Sequence, residues 1–182
     1  MNDRNPALLP ALQLYYEKDK MTEGKFRQRH RLRRKDIKAI EAEMNGAMGS
    51  SFINQDSDID VAQTSKWTVI LDRDQIIGVY FKDRLFPTVR ALLRKTPDSN
   101  YVTVDMGAVQ FVVNGADIMS PGIVDADTRI QPGDIVWIRD EKNGRPIAVG
   151  TAIISGEEMR SGEKGKAIKN MHYVGDDIWN IG

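Results

Sequence analysis

The stretch Tyr101–Gly133 (YVTVDMGAVQFVVNGADIMSPGIVDADTRIQPG) constrains the fold most. It sets a strand, a short capped helix, a glycine turn and a second strand in succession, with no room for a linker. Tyr101 to Val104 alternates and is rich in β-formers, which predicts a strand. Asp105 offers a side-chain oxygen to the free N–H groups of a helix start, and Gly115 can take the positive φ that closes a helix. Together they predict a helix over Met106–Asn114, with Val109, Val112, Val113 and Ala116 at helical spacing. Phe111, Val112 and Val113 alone would argue for a strand; the caps decide for the helix.

Downstream the pattern stays β-rich. Ile135 to Arg139 predicts a strand, Asn143-Gly144 a reversal, and Pro146 to Ile154 the returning strand, with Gly150 where a bulge or close backbone approach belongs. Ser155 to Glu158 reads as a short capped turn. Ala167 to Val174 completes the sheet, and Asp176 to Ile181 closes the chain with Trp179 as a plug. Short strands with tight turns and few helices imply a small closed or partly closed barrel.

Upstream, Ala7 to Tyr16 is apolar but interrupted by Pro10 and too short to cross a bilayer, so residues 1–24 read as an extension, poorly ordered or loosely docked. Lys25 to Lys38 carries eight basic residues and one acidic, or +7, against −7 for the remainder of a 182-residue chain of zero net charge. Its plain reading is a solvated, charged helix start; its functional reading is contact with RNA phosphates through residues such as Arg31, Arg33 and Arg34. Ile37, Ile40, Met44 and Met48 fall on one helical stripe, which Gly46 and Gly49 limit in length. Asp56, Asp58 and Asp60 alternate like a calcium loop, but Val61 stands where that loop needs glycine and Trp67 where it needs glutamate, so a solvated strand edge or loop is expected. Lys66–Asp72 and Gln75–Lys82 predict a hairpin. Phe86-Pro87 is expected to open a helix, since proline fits a first helical turn. Residues 96–100 stop that helix and form a short interdomain turn, so two domains, 25–99 and 100–182, are expected to touch.

The chain has no cysteine, which excludes disulfides, thiolate zinc sites and cysteine nucleophiles. With two histidines, His30 and His172, no catalytic or metal-ligating set assembles, and the spacing of Gly162 to Lys166 is wrong for a phosphate loop. No catalytic residue, metal site or cofactor is expected.

Several short motifs then occur in a telling order. Val104-Asp105-x-Gly107-Ala108-Val109, Asn114-Gly115-Ala116, Met119-Ser120-Pro121-Gly122-Ile123 and Pro132-Gly133-Asp134 come first, followed by Ala148-Val149-Gly150, Gly165-Lys166-Ala167, His172-Tyr173 and Asp177-Ile178-Trp179. This order resembles the PUA domain, an RNA-binding fold. With Phe86-Pro87-Thr88-Val89-Arg90 upstream, the chain resembles the malignant T-cell-amplified sequence family, in which a smaller domain precedes the PUA domain. The resemblance runs from Trp67 to Trp179, and none is found before Lys25.

It implies an α+β chain: a small α/β domain followed by a PUA-like, mostly antiparallel β-barrel. It also implies an RNA site at Gly115, Ala116, Asp117, Ser120, Pro121 and Gly122, extended by Lys164, Lys166 and His172. Glycine there would let a nucleotide backbone approach main-chain N–H groups; the plain alternative makes Gly115 a helix cap and Pro121-Gly122 a turn. Residues 103–182 hold eight basic and twelve acidic side chains. RNA contact is therefore confined to a small face with Arg160, Lys164, Lys166 and Lys169, or else the upstream basic run supplies much of the attraction. The expected function is non-catalytic RNA binding in translation, in the cytoplasm, with tRNA or ribosomal RNA, the small ribosomal subunit or a translation-factor partner, and with neither DNA nor membrane. The alternatives are a tRNA-targeting accessory of an RNA-modification enzyme, or a protein-interaction adaptor.

Overall fold

The computed structural model describes residues 26–49, 53, 57–162 and 164–181; the expected extension at 1–24 and Asp56 lie outside them. The first half is a five-stranded sheet, β1 (Arg27–Arg31), β2 (Ile59–Gln63), β3 (Thr68–Asp72), β4 (Gln75–Phe81) and β5 (Arg84–Pro87), arranged in chain order and antiparallel throughout. Helix α1 (Arg34–Met48) buries Ile37, Ile40, Met44 and Met48, the predicted stripe, and ends on Gly49 at φ +64°. Gly46 lies inside the helix and does not limit it.

Two expectations for this half are corrected. Phe86-Pro87 does not open a helix: both residues end β5, where Pro87 sits opposite Gly78 on an edge strand that tolerates a missing N–H. Helix α2 (Val89–Arg94) is capped instead by Thr88, whose hydroxyl accepts the Ala91 N–H at 3.2 Å. The basic run is likewise not simply a helix start, since Arg27–Arg31 forms β1, the edge strand beside β2.

The alternating aspartates explain that strand. Asp60 is not on a solvated edge: β2 runs between β1 and β3, and its buried carboxylate accepts Arg29 Nε at 2.8 Å and Arg31 Nε at 2.5 Å. Arg29 also reaches Asp74 at 2.8 Å, and Arg31 pairs with Asp58. Burial pushes the Asp60 carboxyl up, but hydrogen bonds from Arg31 and Arg29 outweigh it and leave the group below its ordinary 3.8. A carboxylate so lowered stabilises the fold fully above its unfolded value, and that contribution is lost as pH falls through the folded one. β1 should therefore loosen below about pH 4, seen as faster amide exchange across residues 27–31 than across β3 and β4. Uniform exchange across the sheet would contradict this.

The second half is a six-stranded sheet built from β6 (Tyr101–Val104), β7 (Ile118–Met119), β8 (Ile123–Ala126), β9 (Ile135–Asp140), β10 (Pro146–Ala152) and β11 (Lys166–Tyr173), in the order β7-β11-β10-β9-β6-β8. Only β6 and β9 pair in parallel. The two edge strands, β7 and β8, are consecutive in the chain and joined by the 3₁₀ turn Ser120–Gly122, so the sheet curls into a nearly closed barrel. The fold is thus the expected α+β arrangement. Helix α3 spans Met106–Val112, two residues shorter than predicted, with Asp105 as its cap. Helix α4 (Gly156–Ser161) carries the capping box between Ser155 and Glu158. Gly150 lies at a register shift between β10 and β11, so close to Lys169 that a Cβ would collide with its carbonyl.

The halves share a core. Met48, Val69, Val79, Phe86, Val89 and Leu92 pack in one cluster with Ile135, Trp137, Val149 and Ile178. The connecting turn is held from both sides: Ser99 Oγ donates to Met48 O at 2.8 Å, and Asn100 Nδ2 donates to Ala47 O at 2.9 Å and Ile135 O at 3.0 Å. In the final helix α5 (Asp177–Ile181) Ile178 is buried in the shared cluster and Trp179 packs against it, half-buried. The Arg90 guanidinium also lies over the Trp179 ring, 4.2 Å from its centre. No helix among the described residues is long and apolar enough to cross a membrane.

Candidate nucleic-acid interface

The predicted barrel residues come together around the seam. At the end of α3, Gly115 takes φ +86°, its N–H donates to Val112 O at 3.0 Å, and the Ala116 N–H donates to Phe111 O at 3.0 Å. Asn170 on β11 ties this turn down by donating through Nδ2 to Val112 O and Ala116 O, each at 3.0 Å. The Ser120 N–H donates to Gly165 O at 2.9 Å, and Gly122 O accepts from Asp105 N at 3.0 Å. Lys166 pairs in register with Met119, and its Nζ lies 2.7 Å from the Asp117 carboxylate. Gly115, Ala116, Asp117, Ser120, Pro121, Gly122, Lys164 and Lys166 thus belong to one assembly of α3, the seam turn and the start of β11.

Its chemistry differs from the expectation in three ways. The Gly115 position is taken by the protein's own Tyr173: a Cβ there would lie 2.8 Å from the Tyr173 hydroxyl. Glycine there serves the positive φ and leaves room for the tyrosine, while the residue itself stays exposed. The main-chain donors of Gly115, Ala116 and Ser120 are all spent inside the fold, and Pro121 has none, so the expected main-chain reading of RNA is not open at these residues. Ser120 is buried.

The third difference is His172, which is 0% exposed, with Nδ1 2.8 Å from Asp176 Oδ2. It is therefore not a surface contact for RNA. Burial pushes the Asp176 carboxyl up, while His172 and the N–H groups of Trp179 and Tyr173 more than compensate and leave it lowered. Its place is structural, at the start of α5.

Charge is similarly sorted. Asp117 is held below the usual range, first by the hydrogen bond from Lys166 and further by Asn170 N–H, against the opposing effect of burial. Lys166 is thereby neutralised locally, and Arg160 lies 3.4 Å from Asp125. Lys164 and Lys169 are exposed and make no ion pair among the described residues. What the sequence reading overlooked is apolar: Phe111 is 61% exposed and Met119 49% exposed, at the helix end and on the seam. Phe111 falls off the Val109–Val112 stripe, which was the available signal. Arg31, Arg33 and Arg34 lie in the other half, around β1 and the start of α1. No group of three or more His, Cys, Asp or Glu suited to a metal occurs among the described residues. An exposed ring can stack on a base, and exposed lysines in the same half of the molecule can attract anions.

Residues 100–174 match the PUA domain family, and residues 28–95 match a family described as a domain of unknown function, DUF1947. The chain is 43% identical over 158 residues to the uncharacterized protein MJ1432 of Methanocaldococcus jannaschii, covering 86% of this chain and 98% of that one. The chain belongs to the PUA-domain proteins with a DUF1947 region ahead of the PUA domain. Among solved structures, the hypothetical protein PH0734.1 of Pyrococcus horikoshii aligns with a TM-score of 0.76 at 40% identity, over 84% of this chain and 98% of that one. Translation machinery-associated protein 20 of Schizosaccharomyces pombe is 36% identical over 115 residues, 60% of this chain and 62% of that protein. Malignant T-cell-amplified sequence 1 of Rattus norvegicus is 32% identical over 109 residues, 57% of this chain and 60% of that protein. This PUA-domain protein thus spans about three fifths of those last two relatives.

Proposed function

We propose that this protein binds structured RNA through its PUA half, without catalysis, and works with the translation apparatus in the cytoplasm. The observation that carries the reading is the exposed Phe111 ring on a PUA domain whose Lys164 and Lys169 are also exposed. The ring offers a face to a base, and the lysines attract the flanking phosphates. The link to translation is supported by the similarity to Translation machinery-associated protein 20. Within this reading the ligand is tRNA or ribosomal RNA of the small subunit.

The test is Phe111→Ala in the full chain, titrated against a fluorescent RNA hairpin with an unpaired 3′ end. Stacking on an aromatic ring is worth about 1–3 kcal/mol per base, so affinity should fall roughly 5- to 150-fold. Unchanged affinity, with wild-type binding measurable, would remove Phe111 from the interface.

A further inference from the structure

The basic run divides into two sets with different surroundings. Arg29 and Arg31 are engaged by Asp58, Asp60 and Asp74. Arg33, Arg34, Lys35 and Lys38 are exposed and find no carboxylate partner among the described residues. They surround the start of α1, where Arg33 is the cap residue and its side chain makes no capping hydrogen bond.

This arrangement works against the fold's own stability. A helix start carries partial positive charge from its free N–H groups, so a cation there costs a few tenths of a kcal/mol up to about 1 kcal/mol, where serine or aspartate would stabilise. Only Asp36 in the first turn offsets it. Since α1 turns Ile37, Ile40, Met44 and Met48 inward, Arg34, Lys35 and Lys38 are left facing solvent. Among the described residues no hydrogen bond or ion pair uses their side chains.

We propose that the junction of β1 and α1 is a second RNA surface, at which Arg33, Arg34, Lys35 and Lys38 hold the phosphate backbone of an RNA helix. It would give the DUF1947 half a binding role, and it rests on the reading above that the ligand is RNA. Charge complementarity selects a polyanion. The surface also lacks what other partners use: the large exposed apolar side chains of the described residues are Leu93, Met106, Phe111, Met119, Val124 and Ile153, all in other elements. A protein interface would be centred on such anchors, and a single-stranded segment would want an aromatic platform. Backbone phosphates of a helix need neither.

The experiment compares the full-length protein with Arg34→Ala/Lys35→Ala/Lys38→Ala, using a 16-base-pair RNA duplex and, separately, vesicles containing phosphatidylserine. Each lost phosphate contact lowers the slope of log affinity against log salt by roughly 0.9, so the slope should drop by two to three and low-salt affinity at least tenfold. Thermal stability should be unchanged or slightly raised, because helix-start cations are replaced by a good helix former. An unchanged slope overturns the proposal. So does a clear loss of stability, which would make these residues structural, and so does loss of vesicle binding with RNA binding intact. If Phe111→Ala weakens RNA binding while the triple variant does not, the second surface alone fails. If the wild-type protein binds neither hairpin nor duplex, the RNA reading itself fails.

Discussion

Trp137→Ala should destabilise the protein by about 3–5 kcal/mol, the range for deleting a fully buried large aromatic. The side chain is 0% exposed, packs in the cluster shared by the two halves, and donates its indole N–H to Ser99 O at 2.8 Å, at the connecting turn. Alanine would remove the packing and leave that carbonyl without its partner in a site the shortened side chain cannot refill. Because the cluster draws on α1, α2, β3, β4, β9 and β10 together, the wild-type protein should unfold in one transition by both far-ultraviolet and near-ultraviolet dichroism. The variant should lose both signals early. Separate transitions, with the first sheet keeping its wild-type midpoint, would show that the two halves are energetically independent.

Gly156→Ala should be nearly as damaging, at about 3 kcal/mol, the upper end for overpacking. Gly156 is buried at the first position of α4, and a Cβ there would run into the main-chain carbonyl of Asp127. That carbonyl cannot swing aside: the Asp127 carboxylate accepts the Asn100 N–H at 2.8 Å and the Arg129 N–H at 3.0 Å, and the Gly156 N–H donates to Ile130 O at 3.0 Å. In a free helix, glycine to alanine would stabilise by roughly 1 kcal/mol, so the sign of the effect separates close packing from helix propensity. A stabilised variant, measured by denaturant midpoint, would refute the close approach.

Helices, caps and turns were legible because their signals lie within a few residues of one another. The stripe Ile37, Ile40, Met44 and Met48, the Asp105 cap, the Ser155–Glu158 capping box and the bulge glycine Gly150 all follow from period, side-chain oxygen or missing Cβ. Pro87 misled because proline suits both a first helical turn and the end of an edge strand, and only pairing with Gly78 distinguishes them.

The candidate site was legible as a location but not as chemistry. Gly115 to Gly122 with Lys164 and Lys166 do converge, yet the N–H donors of Gly115, Ala116 and Ser120 are consumed, Tyr173 fills the space a side chain at Gly115 would need, and His172 is buried against Asp176. By itself the sequence determined the main helices and strands of the second half and, through its short motifs, the family resemblance with the α+β class it implies, since these depend on local signals. It did not show that Arg27–Arg31 and Arg84–Pro87 are strands. Only the tertiary structure decided which of the basic residues are spent on Asp58, Asp60 and Asp74, which glycine is filled by its own neighbour, and that Trp137 joins two sheets in one core. The reason is physical: burial and ion pairing are set by residues brought together from across the chain, as Arg31 is to Asp60 and Gly115 is to Tyr173.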